Sequence, residues 1–600
     1  MNISIDHPFD RSPRRFDRSH GAHSLKVRTL SWMAGLCLSA LIPFASATSA
    51  SAAERVTLTY GFVEISTTVD ALQSYADTGI ADRELNAYLR FLSTEQRTQF
   101  RQALQVRQDI DHVQMSQFLY SAIGDNILRV MGNIIQTQGR QDGAKGLRGA
   151  LVLAAAEPEG LSLLSVLDQF PTDNVRIDSQ RAFRAFGALT GLIQDTDRAI
   201  AAIRAQSAPA SLMQANAPTL DALSAPGPYA VTAETITVVD RDRNRDLITD
   251  LYLPTDAPPA GIIVISHGLA GDRKGFVTVA NHLASHGYAI AALEHPGSNT
   301  ARLYDLFRGV ASEVSDPTEF SDRPYDVSYL LDELTRMNEP GDTLAGRLDP
   351  NRIGIIGHSF GGYTALALSG AQLDYDTLQA NCDSIAFIYG GANPSMALQC
   401  TALLDPAQFD ENLRDARIQA VIALNPVTSS LFGPEGFAEL AIPSLMVSGS
   451  VDPVAPALPE QIQPFTWLNE GDRAAEESNP TQRPAHYLAL IEGGSHLYDP
   501  LDIEGADRVA LANGLVNADP ELGYSYLKAL SLGFLCAELE QDPVYQDAFD
   551  DASIVQLGAQ PLPLYIVRSL TAAMLNPPPA PTEPLTPPPV IDVAPPQPNP

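Results

Sequence analysis

The sequence predicts a mostly parallel, doubly wound α/β sheet that follows a mainly helical domain. Beyond residue 229, apolar runs rich in β-branched residues alternate with segments of helical length, and continuous runs such as GIIVIS suit strands buried on both faces. Between residues 54 and 206, apolar residues instead recur at spacings of three and four, as in amphipathic helices. A chain of 600 residues has room for several such domains.

The first segment, residues 1–52, has the order of a secretory signal. Basic residues from Arg11 to Arg28 precede an apolar run near Leu30–Phe44, and a stretch of small residues follows. A transmembrane anchor is the alternative, but the run is shorter than the about 20 residues that span a bilayer, and Pro43 interrupts it. We therefore expect an exported protein, periplasmic or secreted, without a stable membrane span.

Residues 54–206 form the predicted helical domain. Ser93 and Gln96 have the spacing of a capping box at the start of a helix. The segment shows no cluster of His, Cys or paired carboxylates at catalytic or ligand spacing, so we expect a structural domain or one that binds a protein partner. Residues 207–228 are rich in Ala, Ser and Pro and poor in charge, which indicates a linker.

Residues 229–572 carry the predicted sheet and its helices. The segment 374–414 interrupts the alternation of strand and helix, and it predicts an insert that is either a lid or pocket wall or an ornament on the rim. Residues 573–600 are dominated by proline and predict an extended, disordered tail.

The charge balance argues against two classes of partner. With 39 basic and 71 acidic residues the chain has a net charge of −32. Nucleic-acid binding needs Lys and Arg gathered on one face, and an anionic membrane surface attracts basic segments. The composition fits a soluble protein that acts on a neutral small molecule.

Three cysteines remain once the predicted leader is removed: Cys382, Cys400 and Cys536. A bridge between Cys382 and Cys400 would close a short loop and contribute roughly 3 kcal/mol in the chain-entropy model. Two free buried thiols are the alternative, because the sequence does not show whether the two Cβ atoms meet.

A nucleophile motif follows the apolar run RIGIIG. Gly357, Ser359 and Gly361 form G-x-S-x-G between this predicted strand and the helix-forming segment YTALALSGAQL. Such a turn is tight, so a Cβ at either glycine would collide with the neighbouring strand or helix. We expect Ser359 to project its hydroxyl at the start of the helix. The pentapeptide alone is a weak signal, and its strand-to-helix context makes it specific.

An acid and a base follow in the order that this turn requires. Asp452 comes after the predicted strand SLMVSGS, and His496 comes after the predicted strand HYLALIEGG. We predict His496 as the general base toward Ser359, with Asp452 fixing its tautomer. The alternatives are a turn aspartate before a proline and a loop histidine bonded to backbone.

An oxyanion site requires two backbone N–H donors. The loop after the strand GIIVIS supplies Leu269, and the first residue after the nucleophile supplies Phe360. His267 and His295 end neighbouring strands and are candidates for the acyl pocket, although a locally bonded loop histidine is at least as good a reading of His295. We predict no cofactor and no metal site, because His282 and His286 lack the glutamate of H-E-x-x-H and a third ligand.

The motifs SHGLAG, ASHGYAIAALEH and GHSFGG together resemble the platelet-activating-factor acetylhydrolase and dienelactone hydrolase branch of the α/β-hydrolases. The whole layout is also similar to a group of exported, cyanobacterial-type hydrolases whose helical N-terminal domain has no known function. This resemblance implies cofactor-independent hydrolysis of carboxylic esters, short acyl groups on phospholipids among them. It carries Ser359 over as nucleophile, His496 as base, and Leu269 and Phe360 as oxyanion donors.

One position departs from the acetylhydrolase pattern. In that family the acid follows the strand after the nucleophile, where this chain has Asn425. The acid must then come from Asp452, one strand later, as in most α/β-hydrolases. The prediction is a serine esterase for a small-molecule or lipid-derived ester. The alternatives are an acyltransferase with the same triad and a non-catalytic binding or scaffold protein of the envelope.

Overall fold

The computed structural model describes residues 52–60, 63–90, 92–206, 218–384, 393–468, 484–497, 514–550 and 561–575. Almost all of the predicted leader, residues 207–217 of the predicted linker and residues 576–600 of the predicted tail lie outside this part of the chain.

The N-terminal domain combines helices with a small sheet. Its strands are β1, Arg55–Tyr60; β2, Val63–Thr68; β3, Ile135–Gln136; and β4, Asn174–Asp178, in the order β2-β1-β4-β3. Its helices are α1, Val69–Thr78; α2, Arg83–Leu89; α3, Thr94–Gln105; α4, His112–Tyr120; α5, Ala122–Ile134; α6, Ala144–Ala155; α7, Leu163–Asp168; and α8, Ser179–Gln206. Ser93 and Gln96 form the predicted capping box of α3. The sheet was not predicted, because the parallel pairing of β1 with β4 joins segments far apart in sequence.

The second half of the described chain is built on a nine-stranded sheet of order β13-β12-β11-β10-β9-β7-β8-β6-β5. The strands are β5, Val231–Asp240; β6, Arg245–Pro254; β7, Ala260–Ser266; β8, Ala289–Leu293; β9, Leu348–His358; β10, Ile418–Leu424; β11, Ser444–Gly449; β12, His486–Ile491; and β13, Leu564–Val567. Strands β7 to β12 pair in parallel, while β5, β6 and β13 are antiparallel. The predicted α/β-hydrolase fold is confirmed.

Helices cover both faces of this sheet. They are α9, Leu220–Ser224; α10, Val277–Ser285; α11, Thr300–Phe307; α12, Glu319–Met337; α13, Phe360–Ser369; α14, Tyr375–Asp383; α15, Met396–Gln399; α16, Ser429–Ala438; α17, Pro520–Phe534; α18, Pro543–Asp550; and α19, Ala572–Leu575. Helix α9 lies within the predicted linker, where Leu223 is buried in the core. Among the described residues, no helix is both long enough and apolar enough to cross a bilayer.

Alternation along β7 shows why its continuous apolar run forms a central strand. Ile262 and Val264 belong to the core on one face of the sheet, while Ile263 and Ile265 belong to the core on the other. Successive side chains of a strand point to opposite faces, so a strand buried on both faces must be apolar throughout. Strand β7 is therefore buried between the two cores.

The N-terminal domain packs against the edge where these strands end. Asn126 of α5 donates its side-chain Nδ2–H to the carbonyl of Ala397, at a distance of 3.1 Å. Arg204 of α8 forms an ion pair of 2.7 Å with Glu492, in the loop that follows β12. The helical domain is thus part of the rim around the carboxyl ends of the strands, where ligands of such sheets bind.

Candidate active site

The nucleophile turn lies where β9 ends and α13 begins. Ser359 stands between them with φ 54° and ψ −116°, a conformation that L-residues rarely adopt. Its N–H donates to the carbonyl of Leu424 at 2.9 Å, which ties the turn to the end of β10. Strained backbone of this kind persists only where the surrounding structure holds it.

Two glycines allow the turn to be this tight. A Cβ on Gly357 would lie 1.9 Å from the carbonyl oxygen of Gly361, and a Cβ on Gly361 would lie 2.1 Å from that of Ser266. Helix α13 therefore starts in direct backbone contact with β7 and β9. Gly268 faces the nucleophile itself, since a Cβ there would lie 3.2 Å from the Cβ of Ser359.

The structure brings the three predicted catalytic side chains into one hydrogen-bonded row. Nε2 of His496 lies 3.0 Å from Oγ of Ser359, and Nδ1 of His496 lies 2.7 Å from Oδ2 of Asp452. All three residues are buried. In this arrangement Nδ1 carries a proton toward the carboxylate, which leaves Nε2 free to accept the proton of the hydroxyl.

Asp452 stays ionised because its oxygens are well supplied with donors. Its Oδ1 accepts the N–H groups of Val454 and Ala455, at 2.8 and 2.9 Å. Burial raises the pKa of Asp452, but the neighbouring His496 charge and the hydrogen bonds outweigh burial, so this pKa lies below its usual value. Asn425 donates Nδ2–H to Oδ2 of Asp452 at 2.7 Å. The residue at the acetylhydrolase acid position thus holds the predicted acid of this chain.

His358, the residue before the nucleophile, is a contact that sequence reasoning missed. Its Nε2 lies 2.8 Å from the backbone carbonyl of His496, so the ring holds the main chain of the predicted base. Burial lowers the pKa of His358 to about 3, which keeps the imidazole neutral as an N–H donor. The motif G-x-S-x-G accepts any residue at the position of His358, so the motif gave no sign of this contact.

The predicted oxyanion donors flank Ser359. Phe360 begins α13, and Leu269 follows Gly268 in the turn that is closed by the 3.1 Å bond from the N–H of Gly271 to the carbonyl of Gly268. Within the described part of the chain, neither the Leu269 N–H nor the Phe360 N–H has an acceptor. Two such amides beside a nucleophile are suited to stabilise a developing negative charge.

Arg323 is a buried cation that holds this loop from behind. It donates to the carbonyl of His267 at 2.8 Å and to that of Gly268 at 3.4 Å, and its guanidinium lies 4.3 Å from the ring centroid of Phe360. The carbonyl of Gly268 and the N–H of Leu269 belong to one planar trans peptide and point in opposite directions. Fixing that carbonyl therefore fixes the direction of the Leu269 N–H.

His267 and His295, the candidates for the acyl pocket, are both buried beside the loop that carries Leu269. His267 places Nδ1 2.7 Å from the carbonyl of Gly268, while His295 lies 2.9 Å from Oγ of Ser266 and 3.0 Å from Asp326. Burial, with the nearby charge of Arg323, holds the pKa of both rings well below the usual value. His295 therefore has the bonds of a locally bonded histidine, which was the alternative to a place in the acyl pocket. The packed sheet encloses both rings, and His267 bonds the loop directly.

A cavity of about 800 Å³ adjoins the loop that carries Asp452. Helices α5 and α8, the insert and the loop after β11 enclose it, and its apolar wall includes Ile127, Met131, Leu192, Ile193, Met396 and Val451. The insert contributes a disulfide between Cys382 and Cys400, whose Cα atoms lie 5.8 Å apart. Both cysteines line the cavity, so the insert forms a pocket wall rather than an ornament.

Nothing in the described ranges groups three or more His, Cys, Asp or Glu side chains for a metal ion. The rings of His282 and His286 pack edge to face at 4.8 Å, and Nε2 of His286 lies 3.0 Å from the carbonyl of Ala225. These two histidines join α10 to the segment after α9.

Two family models match separate parts of the chain. The family described as "Alpha/beta hydrolase of unknown function" matches residues 52–178, and "Platelet-activating factor acetylhydrolase, isoform II" matches residues 240–323. Together with the sheet, these matches confirm an α/β-hydrolase that resembles the platelet-activating-factor acetylhydrolase branch.

Curated relatives are similar over limited stretches. Platelet-activating factor acetylhydrolase of Cavia porcellus is 28% identical over 133 residues, which cover 18% of this chain and 30% of that protein. The protein of the same name from Canis lupus familiaris is 27% identical over 143 residues, 18% of this chain and 32% of that one. Cutinase est1 of Thermobifida alba is 25% identical over 148 residues, 25% of this chain and 43% of that one. The matches thus span less than half the length of each relative.

Proposed function

We propose, from the α/β-hydrolase fold of the chain, that it is a serine carboxylic-ester hydrolase acting through an acyl-enzyme on Ser359. The observation that carries this proposal is the unbroken row of hydrogen bonds from Ser359 through His496 to Asp452. The similarity to acetylhydrolases and cutinases, proteins named for ester cleavage, supports the same reaction class.

The reaction divides into two balanced steps. Oγ of Ser359 attacks the ester carbonyl carbon while its proton passes to Nε2 of His496, and the leaving alkoxide then takes that proton as the carbonyl–oxygen bond breaks. Water attacks the acyl-enzyme in the second step and gives its proton to His496, which returns it to Ser359 as the acid leaves. Asp452 stabilises the imidazolium in both steps.

The Leu269 and Phe360 amides stabilise the negative charge on the carbonyl oxygen in each step. Both flank Ser359 in loops that packed backbone holds in place. Loss of one such donor lowers turnover by about 100-fold or more in comparable sites. We assign these two donors to the tetrahedral intermediate.

The substrate in this proposal is an ester with an apolar part, short-chain or lipid-derived. The cavity beside Asp452 supports it, because its wall is largely aliphatic and lies next to the catalytic row. Hydrolysis of p-nitrophenyl esters of increasing chain length measures the preference. Analysis of the products with an added alcohol separates hydrolysis from transfer, since an acyltransferase would form a new ester.

A fluorophosphonate probe tests the assignment of the nucleophile. The native chain should be labelled, and Ser359→Ala should lose labelling and lower turnover by roughly 10⁶-fold. Ser369→Ala is the matched control, because Ser369 is a buried serine at the other end of α13 whose hydroxyl bonds Ala365. Equal labelling of native chain and Ser359→Ala would refute the proposal.

We also propose that the protein is exported. The leader pattern of residues 1–52 and the Cys382–Cys400 disulfide both suit an oxidising compartment. N-terminal sequencing of the protein purified from its native cell should find a start directly after Ala47 or Ala52. A native protein that still begins at Met1 would contradict this.

A further inference from the structure

The N-terminal domain encloses an apolar cavity that the proposed reaction does not use. Its volume is about 990 Å³. The cavity separates the core of this domain into two clusters, one around Leu72 and Leu85 and the other around Leu147 and Phe170. All four of these side chains line it. The small sheet and the helices of this domain thus surround a space instead of meeting at a common core.

The lining selects an uncharged, flexible hydrocarbon. It contains no Asp, Glu, Lys, Arg or His, and 21 of its 28 residues are Leu, Ile, Val or Phe. The volume lies at the upper end of the roughly 300 to 1,000 Å³ found for small-molecule sites. A charged headgroup would have no counter-ion inside this cavity, whereas a hydrocarbon chain gains from leaving water.

One buried hydroxyl in the wall adds a polar requirement. Thr67 of β2 is 2% exposed, and its Oγ1 has no hydrogen-bond partner among the described residues. Buried polar groups are nearly always paired, and leaving one unpaired is destabilising. A ligand with a carbonyl or carboxyl oxygen near one end would accept a hydrogen bond from this hydroxyl.

Helix α8 contributes an exposed side chain to the wall of the cavity. Phe183 lines the cavity and is 65% exposed. Met131 at the end of α5 lines both this cavity and the one beside Asp452, and α8 contributes to both walls. The two cavities therefore share Met131 and α8 in their walls.

We infer that the N-terminal domain binds a long acyl chain in this cavity, as a fatty-acyl ester or as a fatty acid in its protonated form, with an oxygen that meets Thr67. The inference does not depend on Ser359, because the cavity and its hydroxyl lie in a different domain. It assigns the helical domain a lipid-binding role.

The experiment uses the full chain carrying Ser359→Ala, so that binding is measured without hydrolysis. The purified protein is delipidated and titrated with palmitic acid in one arm and with methyl palmitate in the other, and bound ligand is counted by native mass spectrometry. We expect one acyl chain per protein. If only palmitic acid binds, the ligand is a free fatty acid. If both compounds bind, the cavity accepts the acyl chain with either a carboxyl or an ester group.

Two tryptophan variants on one helix locate the ligand. Leu151→Trp fills the cavity and should weaken binding by at least about tenfold, because overpacking leaves no room for the chain. Leu153→Trp is the matched control, since Leu153 is on the same helix, 53% exposed and outside the lining. It should bind within about twofold of the parent, as surface substitutions usually do.

Thr67→Val tests the polar requirement, because valine keeps the shape and removes the hydroxyl. It should weaken palmitic acid about fivefold or more while the fold is retained, as expected for a lost hydrogen bond. Equal binding in Leu151→Trp and Leu153→Trp would overturn the inference. So would a chain that binds neither ligand and instead dimerises through α8, since the exposed face would then be an interface between copies.

Discussion

The two halves of the chain fill their interiors in opposite ways. In the hydrolase half, a large cluster of buried apolar side chains covers each face of the sheet. In the N-terminal half, helices and a small sheet enclose a cavity that divides the core into two clusters. A densely packed interior holds side chains in fixed positions, whereas a cavity leaves room for a ligand.

Among the changes that compare the two halves, the largest expected effect comes from Arg323, the buried cation behind the loop of the proposed donor Leu269. Arg323→Met should lower kcat by about 100-fold with little change in KM, because the loop amide stabilises only the transition state. The effect is expected because Arg323 donates hydrogen bonds to the carbonyls of His267 and Gly268, which hold the loop in place. The measurement is steady-state hydrolysis of a p-nitrophenyl ester.

Arg176→Met is the control from the other half. Arg176 is also buried and pairs with Glu64 in the N-terminal sheet, far from the loop along the chain. Its turnover should match the native chain. If both variants lost the same activity, or if Arg323→Met altered only thermal stability, the positioning role of Arg323 would be wrong.

A pair of leucines tests the difference in packing itself. Leu330→Ala in the hydrolase core should lower the free energy of unfolding by about 3 kcal/mol, because the surrounding atoms enclose the side chain on all sides. Leu89→Ala, which truncates a buried side chain that lines the cavity, should cost less, about 2 kcal/mol, at the lower end of the range for buried leucines. Hydrogen exchange resolved by segment during urea unfolding measures each half. Equal losses would show that the cavity wall is as well packed as the sheet.

The sequence predicted the hydrolase half better than the N-terminal half. Strands such as β7 and β9 were found because burial on both faces demands an unbroken apolar run, and Ser359, Asp452 and His496 were proposed as a triad because they follow the chain order expected for this fold. The edge strand β13 was missed, as it is a short antiparallel strand whose partner lies far away in sequence. A helix facing a cavity and a helix facing a packed core show the same spacing of apolar residues, so the cavity left no pattern.

The supporting contacts of the site were also beyond sequence reasoning. The bonds of Asn425 to Asp452 and of His358 to the carbonyl of His496 join segments that only the folded sheet brings together. Residue types alone marked Asn425 as a departure from a family pattern. Its role depends on a distance that spacing does not contain.

Acid should weaken the hydrolase half first. Burial lowers the pKa of His358 from 6.5 to about 3, so below pH 6.5 the unfolded chain takes up a proton that the folded chain refuses. Stability therefore falls as the pH falls, down to the folded pKa. Between pH 6.5 and 5 this one group should remove about 2 kcal/mol of unfolding free energy, at about 1.4 kcal/mol per unit.

Trp467 fluorescence during urea unfolding at pH 7 and pH 5 follows this half, because Trp467 lies beside its core. His358→Gln should reduce the pH dependence by about the same 2 kcal/mol. In the described N-terminal residues 52–206 the histidine is His112, which is exposed, so hydrogen exchange there should change little. A larger loss of stability in the N-terminal half between pH 7 and pH 5 would contradict this prediction.

The smallest expected effect comes from a change that alters no volume. Asn425→Asp replaces an N–H donor 2.7 Å from Asp452 by a second carboxylate. Two carboxylates that share a site hold a proton to higher pH, so the acidic limb of kcat/KM should move upward while the rate at pH 8 falls less than about tenfold. Thr67→Val, an equally isosteric change in the N-terminal half, should leave the pH dependence of kcat/KM unchanged. If the acidic limb of Asn425→Asp did not shift, the backbone amides of Val454 and Ala455 alone would hold the proposed acid. The packed surroundings of the proposed triad would then tolerate an added carboxylate as readily as the cavity tolerates the loss of the Thr67 hydroxyl.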